Sequence, residues 1–314
     1  MRNFGLVHID TNSKYPNLVL MKLSAWIKSK FSADNCNVDL LKPADILNGY
    51  NMFKKYDVIY GACVFTENKP LADALEARGV CVGGSGTGKH EMTLRPDQEH
   101  IMPDYSLYGV TDTAYGFLTR GCPRHCPFCI VGDKEGLASR KVADLSEFWN
   151  GQKFIKLLDP NLLACTEHMN LLEQLADSGA KVDFTQGLDA RKLTPDNMNM
   201  INSINVERVH FAWDNPRDKA IPFALRIFLN HTKIKDVRRR TVYVLTNYWS
   251  THEEDLYRVY WLRDNGYDPY VMVYDKPNAP AITRRLQRWV NNKWIFKTVL
   301  KFEDYDQTFG QKGE

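Results

Sequence analysis

Residues 154–187 read FIKLLDPNLLACTEHMNLLEQLADSGAKVDFTQG, and the order of patterns inside this stretch decides the fold class. FIKLLD (154–159) is a short apolar run of strand type. HMNLLEQLADSG has helical spacing and stops at Gly179. VDFTQG (182–187) is a second short apolar run. A strand, a helix and a strand in succession form the unit of a parallel sheet with crossover helices.

The rhythm continues on both sides. TAYGFLTRGC reads as a strand that ends at a cysteine. RVHFAWD (208–214), TVYVLTN (241–247) and PYVMVYD (269–275) follow, separated by the helix patterns TPDNMNMINSI, PFALRIFLNHT and THEEDLYRVYWLRDNG. Six strands alternating with helices predict a parallel β/α barrel, or part of one, over residues 113–280. Polar residues close these strands: Cys122, Asp159, Gln186, Asp214, Asn247 and Asp275. Barrel active sites form at the C-terminal ends of strands. Turns are also simply polar, so both readings stand for any single residue.

Upstream, FGLVHID, NVDLL, YDVIYGACVF and VCVGGSGTG are strand candidates, with helices in PNLVLMKLSAWIKSKF and LADALEARG. This alternation predicts a Rossmann-like doubly wound domain over residues 1–100. Residues 101–112, broken by Pro103 and Gly109, read as a linker. Residues 281–314 read as a helical, basic C-terminal extension. The expected fold class is therefore α/β throughout.

The bulk properties narrow the function classes. The chain has 314 residues, 44% hydrophobic and 25% charged, with a net charge of +3. That is the composition of a soluble globular protein. The charge is too small to argue for or against a nucleic-acid partner. No uncharged run approaches the ~20 residues of a membrane span, and no signal peptide is visible, so a cytoplasmic protein without a membrane partner is expected. Disulfides are rare in that compartment, and the cysteine count of seven is odd.

Three of those cysteines, Cys122, Cys126 and Cys129, crowd into GCPRHCPFC. Thiolates suit zinc, copper(I) and iron–sulfur clusters. A structural zinc site normally closes with four ligands, often as two pairs. Here no second pair follows, and Cys165 stands alone. Three protein ligands on a cubane leave one iron open for a substrate or cofactor.

With the lead-in LTRGCP and the aromatic Phe128 before the last cysteine, these residues resemble the radical S-adenosylmethionine (radical SAM) superfamily. The resemblance spans about residues 115–275. It implies a partial (β/α)6 barrel whose cluster loop follows its first strand. It implies a [4Fe-4S] cluster on Cys122, Cys126 and Cys129, with S-adenosylmethionine (SAM) chelating the fourth iron. It further implies a reductant such as flavodoxin or ferredoxin. Reduced SAM would give methionine and a 5′-deoxyadenosyl radical, which takes hydrogen from a substrate that the sequence does not name.

The same resemblance implies further cofactor-binding positions beside Phe128. Asp159 and Asn161, in LLDPNLLA, stand where relatives carry a glycine–glycine–glutamate patch. Gln186, Asp189 and Arg191, in TQGLDARKL, would meet the ribose and carboxylate of SAM, since arginine favours carboxylate forks. Asp214 would lie near the nucleoside. Each also reads as a turn residue or helix cap. SRKVADLSEF resembles the basic entry to the first barrel helix, with Arg140 and Lys141 as alternatives for a solvated face.

The first domain is similar to the cobalamin-binding-type domain of many radical SAM proteins, through VGGSGTG and MPDYSLY. Gly83, Gly84 and Gly86 would let backbone approach a phosphate or ring. The motif Asp-x-His-x-x-Gly is absent, which counts against cobalamin as a cofactor. A degenerate scaffold covering the barrel mouth is the expected alternative. Cys36, Cys63, Cys81 and Cys165 read as small buried residues. In TRRLQRWVNNKWIFK, Leu286, Trp289, Val290 and Ile295 would pack while Arg284, Arg285, Arg288 and Lys293 face water; RNA is the candidate partner for such a face. Two other functions stay open: SAM-dependent methyl or methylthio transfer to RNA or protein, and a non-catalytic iron–sulfur or zinc module.

Overall fold

The first strand, β1 (Arg2–His8), lies inside a sheet whose other members come later: β2 (Cys36–Leu41), β3 (Val58–Ala62) and β4 (Cys81–Gly83). The order is β2-β1-β3-β4, and every neighbouring pair is parallel. The computed structural model describes residues 1–31, 35–49, 55–89 and 93–306.

Strand side chains alternate between faces, and here both faces are apolar. Phe4 and Leu6 pack with Leu20 and Ile27 of the helix Leu18–Lys30. Val7, Ile9 and Ile59 pack the other way, against Ile46 of the helix Pro43–Asn48 and against Ala72 and Leu75 of the helix Lys69–Glu76. A sheet covered on both faces needs an almost unbroken apolar run, which FGLV supplies. Residues 101–112, expected as a linker, pack instead. Tyr105 is buried, donates to the Phe148 carbonyl at 2.6 Å and accepts from the Tyr115 amide at 3.1 Å.

The second set of strands is β5 (Thr113–Gly116), β6 (Thr119–Arg120), β7 (Arg140–Lys141), β8 (Phe154–Leu157), β9 (Lys181–Phe184), β10 (Val206–Ala212), β11 (Arg240–Thr246) and β12 (Asp268–Val273). Six of them form one sheet in the order β12-β11-β10-β9-β8-β5, with β9 to β12 parallel. From β8 onward each strand is followed by a helix: His168–Asp177, Pro195–Ser203, Ala220–His231 and His252–Asp264. β6 and β7 pair separately as an antiparallel ribbon. TAYGFLTRGC is thus two strands, because the chain turns out of the sheet after Gly116. SRKVADLSEF forms β7 and a single 3₁₀ turn, Leu145–Glu147, with no helix entry.

One face of the six-stranded sheet holds Val209, Phe211, Val242, Val244 and Val271, all buried. Phe211 meets Phe228 edge-on at 4.9 Å, and Val271 clusters with Val259, Leu286 and Trp289. The edge strand β12 does not offer its outer groups freely. Asn291 accepts from the Val271 amide at 2.8 Å and donates to its carbonyl at 2.9 Å, and Lys293 donates to the Pro269 carbonyl at 2.6 Å. Capping of this kind blocks edge-to-edge pairing.

By compactness the chain divides into residues 1–116 with 143–155, and 117–142 with 156 onward. The helices Ala281–Asn291 and Lys293–Thr298 belong to the second unit. Leu286, Trp289, Val290 and Ile295 are buried there, and Arg284 and Arg288 are exposed. Arg285 and Lys293, expected in water, are half-buried. Arg285 lies over the Phe302 and Tyr305 rings and donates to the Tyr305 carbonyl, and Lys293 pairs with Asp268 at 2.8 Å. Residues 307–314 of the expected extension lie outside the described residues. Among the described residues no helix is long and apolar enough to cross a membrane.

Candidate functional site

The cysteine loop hangs from a closed neck. Asp159, fully buried just past β8, accepts hydrogen bonds from the amides of Leu118 and Thr119 and from the Thr119 hydroxyl. Burial lifts its carboxyl to about 6. Asp159 therefore anchors the approach to the cysteines and has its oxygens committed to the backbone. The next closure is made by Glu135, which accepts from Arg120 at 2.8 Å and from the Gly121 amide at 3.1 Å. Gly121 has φ +85°, and a Cβ there would stand 2.2 Å from the Ala138 carbonyl oxygen, so only glycine fits.

Beyond the neck Cys122 and Cys129 both lie within electrostatic reach of Cys126. Burial pushes the Cys126 thiol up; Asp214, Cys129 and Cys122 add to that, and Arg191 opposes it. Cys129 donates its amide to the Cys126 carbonyl at 2.9 Å, closing a turn between them. Cys122 receives the side-chain amide of Asn161 at 3.4 Å from its sulfur. Asn161 is buried, and its Oδ1 has no hydrogen-bond partner. Unpartnered buried acceptors are uncommon and costly.

The loop after β9 completes a charged ring. The side chain of Asp189 is only 4% exposed and sits between two guanidinium groups, Arg124 at 2.7 Å and Arg191 at 2.7 Å. Burial pushes its carboxyl up, but the bonds from Arg191 and Arg124 hold it below the usual range. Arg191 also reaches Asp218 at 2.9 Å, after β10. Asp214, at the end of β10, is raised to about 6 by burial, against the pull of Arg258 and Arg191.

Arg258 lies under this rim, completely buried. It donates to the carbonyls of Trp213, Asp214 and Leu245 at 2.5, 2.8 and 2.9 Å and pairs with Asp255. It ties the ends of β10 and β11 together. Phe128 packs edge-on against Tyr248 at 5.5 Å and Trp249 at 5.4 Å, and Tyr248 meets Tyr274 at 4.8 Å.

Of the expected residues, then, Cys122, Cys126, Cys129, Asn161, Asp189, Arg191 and Asp214 converge, and Phe128 joins an aromatic wall beside them. Gln186 is exposed and lines a small pocket with Asp159, Leu162 and Gly187. Asn247 and Asp275 act as turn formers. Both have positive φ; Asn247 donates to the Tyr274 carbonyl and Asp275 accepts from Asn278. Arg124, Asp218, Tyr248, Trp249 and Arg258 were not picked out from sequence. All but Arg258 lie within a few residues of a strand end or a cysteine, which is the signal that marks them.

Among the remaining cysteines Cys36, Cys63 and Cys165 are buried, while Cys81 is exposed because it occupies the outward side of edge strand β4. In the first unit the glycine-rich loop packs on its own chain. A Cβ on Gly84 would lie 2.2 Å from the Cys63 carbonyl oxygen, and one on Gly86 would lie 2.6 Å from that of Phe65. These glycines serve backbone contact.

Among the described residues no three His, Cys, Asp or Glu side chains close around a single metal ion. A multi-iron cluster spreads its thiolates over several metals. The chain matches no protein-family model and no curated protein.

Proposed function

We propose that this chain is a radical SAM enzyme, with a Rossmann-like first domain, a partial (β/α)6 barrel, and a [4Fe-4S] cluster on Cys122, Cys126 and Cys129. The observation that carries this is the Asn161–Cys122 contact at 3.4 Å inside a ring of strand ends. With a cluster bound, Asn161 would donate to one of its thiolates, and hydrogen bonds to sulfur tune such clusters. Arg191 acts electrostatically on Cys126 in the sense that favours a thiolate. The unpartnered Asn161 Oδ1 supports a ligand whose donor completes it.

When bound, the cluster would pass one electron from a flavodoxin- or ferredoxin-type reductant to SAM, releasing methionine and a 5′-deoxyadenosyl radical that abstracts hydrogen from substrate. Arg191 would hold the SAM carboxylate and Asp214 would accept from the ribose hydroxyls. Phe128, Tyr248 and Trp249 would exclude water from the reactive face. The filled space at Gly84 and Gly86 supports a scaffold role for the first domain over cobalamin binding.

The test is electron paramagnetic resonance on anaerobically reconstituted, dithionite-reduced protein, with and without SAM. A cluster signal that changes shape on adding SAM is expected. Tightly bound zinc without a cluster, or a cluster signal indifferent to SAM, overturns the proposal.

A further inference from the structure

Two carboxylates divide the guanidinium of Arg191 between them. Asp189 Oδ1 accepts from the Arg191 backbone amide at 3.2 Å and from its Nε at 2.7 Å. Asp218 Oδ2 accepts from its Nη1 at 2.9 Å. A carboxylate forks onto arginine through two parallel N–H groups. With Nε committed to Asp189, the edge left for such a fork is the one formed by Nη1 and Nη2, and Asp218 stands on it.

The two carboxylates are not held equally. The Asp189 side chain is 4% exposed, and its Oδ2 also accepts from Arg124 Nε at 2.7 Å and from the Asn161 side chain at 3.4 Å. The Asp218 side chain is 23% exposed. Its second oxygen, Oδ1, accepts at 3.0 Å from the amide of Ala220, where the helix Ala220–His231 begins. Releasing Asp218 from Arg191 leaves a carboxylate that still holds the helix and can take water. Releasing Asp189 would strand several donors in a buried place, which is costly. The ring sets two guanidinium groups, Arg124 and Arg191, against two carboxylates, Asp189 and Asp218. A third carboxylate added to it would be uncompensated, whereas exchange for Asp218 keeps the ring balanced.

We propose that Asp218 is a built-in competitor for the ligand carboxylate: it holds Nη1 of Arg191 until the carboxylate of SAM takes its place, and so sets the affinity of the site. This rests on the function proposed above, in which Arg191 receives the SAM carboxylate. A partly exposed ion pair is worth up to about fivefold in an equilibrium constant. Asp218 can therefore yield to the ligand, where Asp189, with four donors on it, stays and keeps Arg191 in position.

The test is equilibrium binding of SAM, and of decarboxylated SAM, to the anaerobically reconstituted full chain. Asp218→Asn removes the charge but keeps an oxygen for the Ala220 amide, since asparagine caps helices as well as aspartate does. The variant should bind SAM about fivefold more tightly than wild type and bind decarboxylated SAM as wild type does. In an Arg191→Gln background the same substitution should bring no gain, because the contested guanidinium is gone. Asp236→Asn, which removes a carboxylate paired with Arg238 just before β11, should change nothing. Unchanged or weaker SAM binding by Asp218→Asn, or a gain shared equally by decarboxylated SAM, overturns the proposal. Paramagnetic resonance on the same preparations separates the two proposals. A SAM-responsive cluster in wild type with no gain in Asp218→Asn removes only this one. No cluster response and no SAM binding in either protein removes the proposed function and this exchange with it.

Discussion

The side-chain amide of Asn161 stands 3.4 Å from the sulfur of Cys122, and the carbonyl oxygen of the same side chain is buried without a partner. One residue thus faces the cysteine loop with a donor in use and an acceptor in reserve. Asn161→Leu removes both. In the proposed [4Fe-4S] cluster, less hydrogen bonding would leave more negative charge on the thiolate and favour the oxidised state. The reduction potential should therefore fall, and SAM should perturb the reduced cluster's spectrum less. Potentiometric titration of reconstituted protein reads the first effect. An unchanged potential would mean that Asn161 does not touch a cluster ligand.

Arg258 offers a test of what holds the rim together. It is completely buried, binds three carbonyls at the ends of β10 and β11, and pairs with Asp255. Arg258→Met leaves Asp255 buried with a hydrogen bond from Ser250 but without its guanidinium. Breaking one side of a buried pair typically costs about 3–5 kcal/mol. The double variant Arg258→Met with Asp255→Leu should lose less than Arg258→Met alone, since no charge is stranded. Urea denaturation of both variants measures the difference; equal losses would place the value of Arg258 in its carbonyl bonds.

Two glycines with positive φ separate backbone strain from crowding. Gly84 and Gly88 have φ +108° and +77°, yet a Cβ on Gly84 would overlap the Cys63 carbonyl while one on Gly88 meets nothing within 4 Å. Gly88→Ala should lose about 1 kcal/mol, from the left-handed conformation alone. Gly84→Ala should lose more than about 2 kcal/mol, because β3 and the loop must move apart. Thermal melts of the two variants decide it, and similar losses would refute the tight loop contact.

Much of the second unit was legible because strand runs such as FIKLLD and TVYVLTN are short, apolar and regularly spaced. The cysteine spacing alone also located the loop. What escaped was settled by side chains meeting across the fold. TAYGFLTRGC looks continuous, but Asp159, some forty positions away, draws the amides of Leu118 and Thr119 out of the sheet. Cys81 sits in an apolar stretch, and only the edge position of β4 exposes it. Arg285 reads as a solvated cation until Phe302 and Tyr305 are folded beneath it. The buried His210 was missed because a period of two says which residues share a face, not how deeply each is covered.

His210 also gives a prediction in acid. Burial lowers its pKa from 6.5 to about 4; the Phe184 carbonyl opposes this, while Arg208 and Lys156 add to it. Asp183 stands 3.4 Å from Nδ1 on the neighbouring strand, with its own carboxyl raised by burial, and Tyr243 covers the ring. The unfolded chain therefore binds a proton that the folded chain refuses between about pH 6.5 and 4. Stability is present above that window and is lost as the pH falls through it. Between pH 7 and pH 5 the loss should be about 2 kcal/mol. Asp159, raised to about 6, acts in the opposite sense: its contribution is full below about pH 4 and is lost as the pH rises through 6. Because Asp159 is common to both proteins, the difference between wild type and His210→Gln isolates the histidine. The variant should lose about 2 kcal/mol less than wild type over that interval, measured by denaturant titration at the two pH values. Parallel losses would show that His210 is protonated in the folded protein.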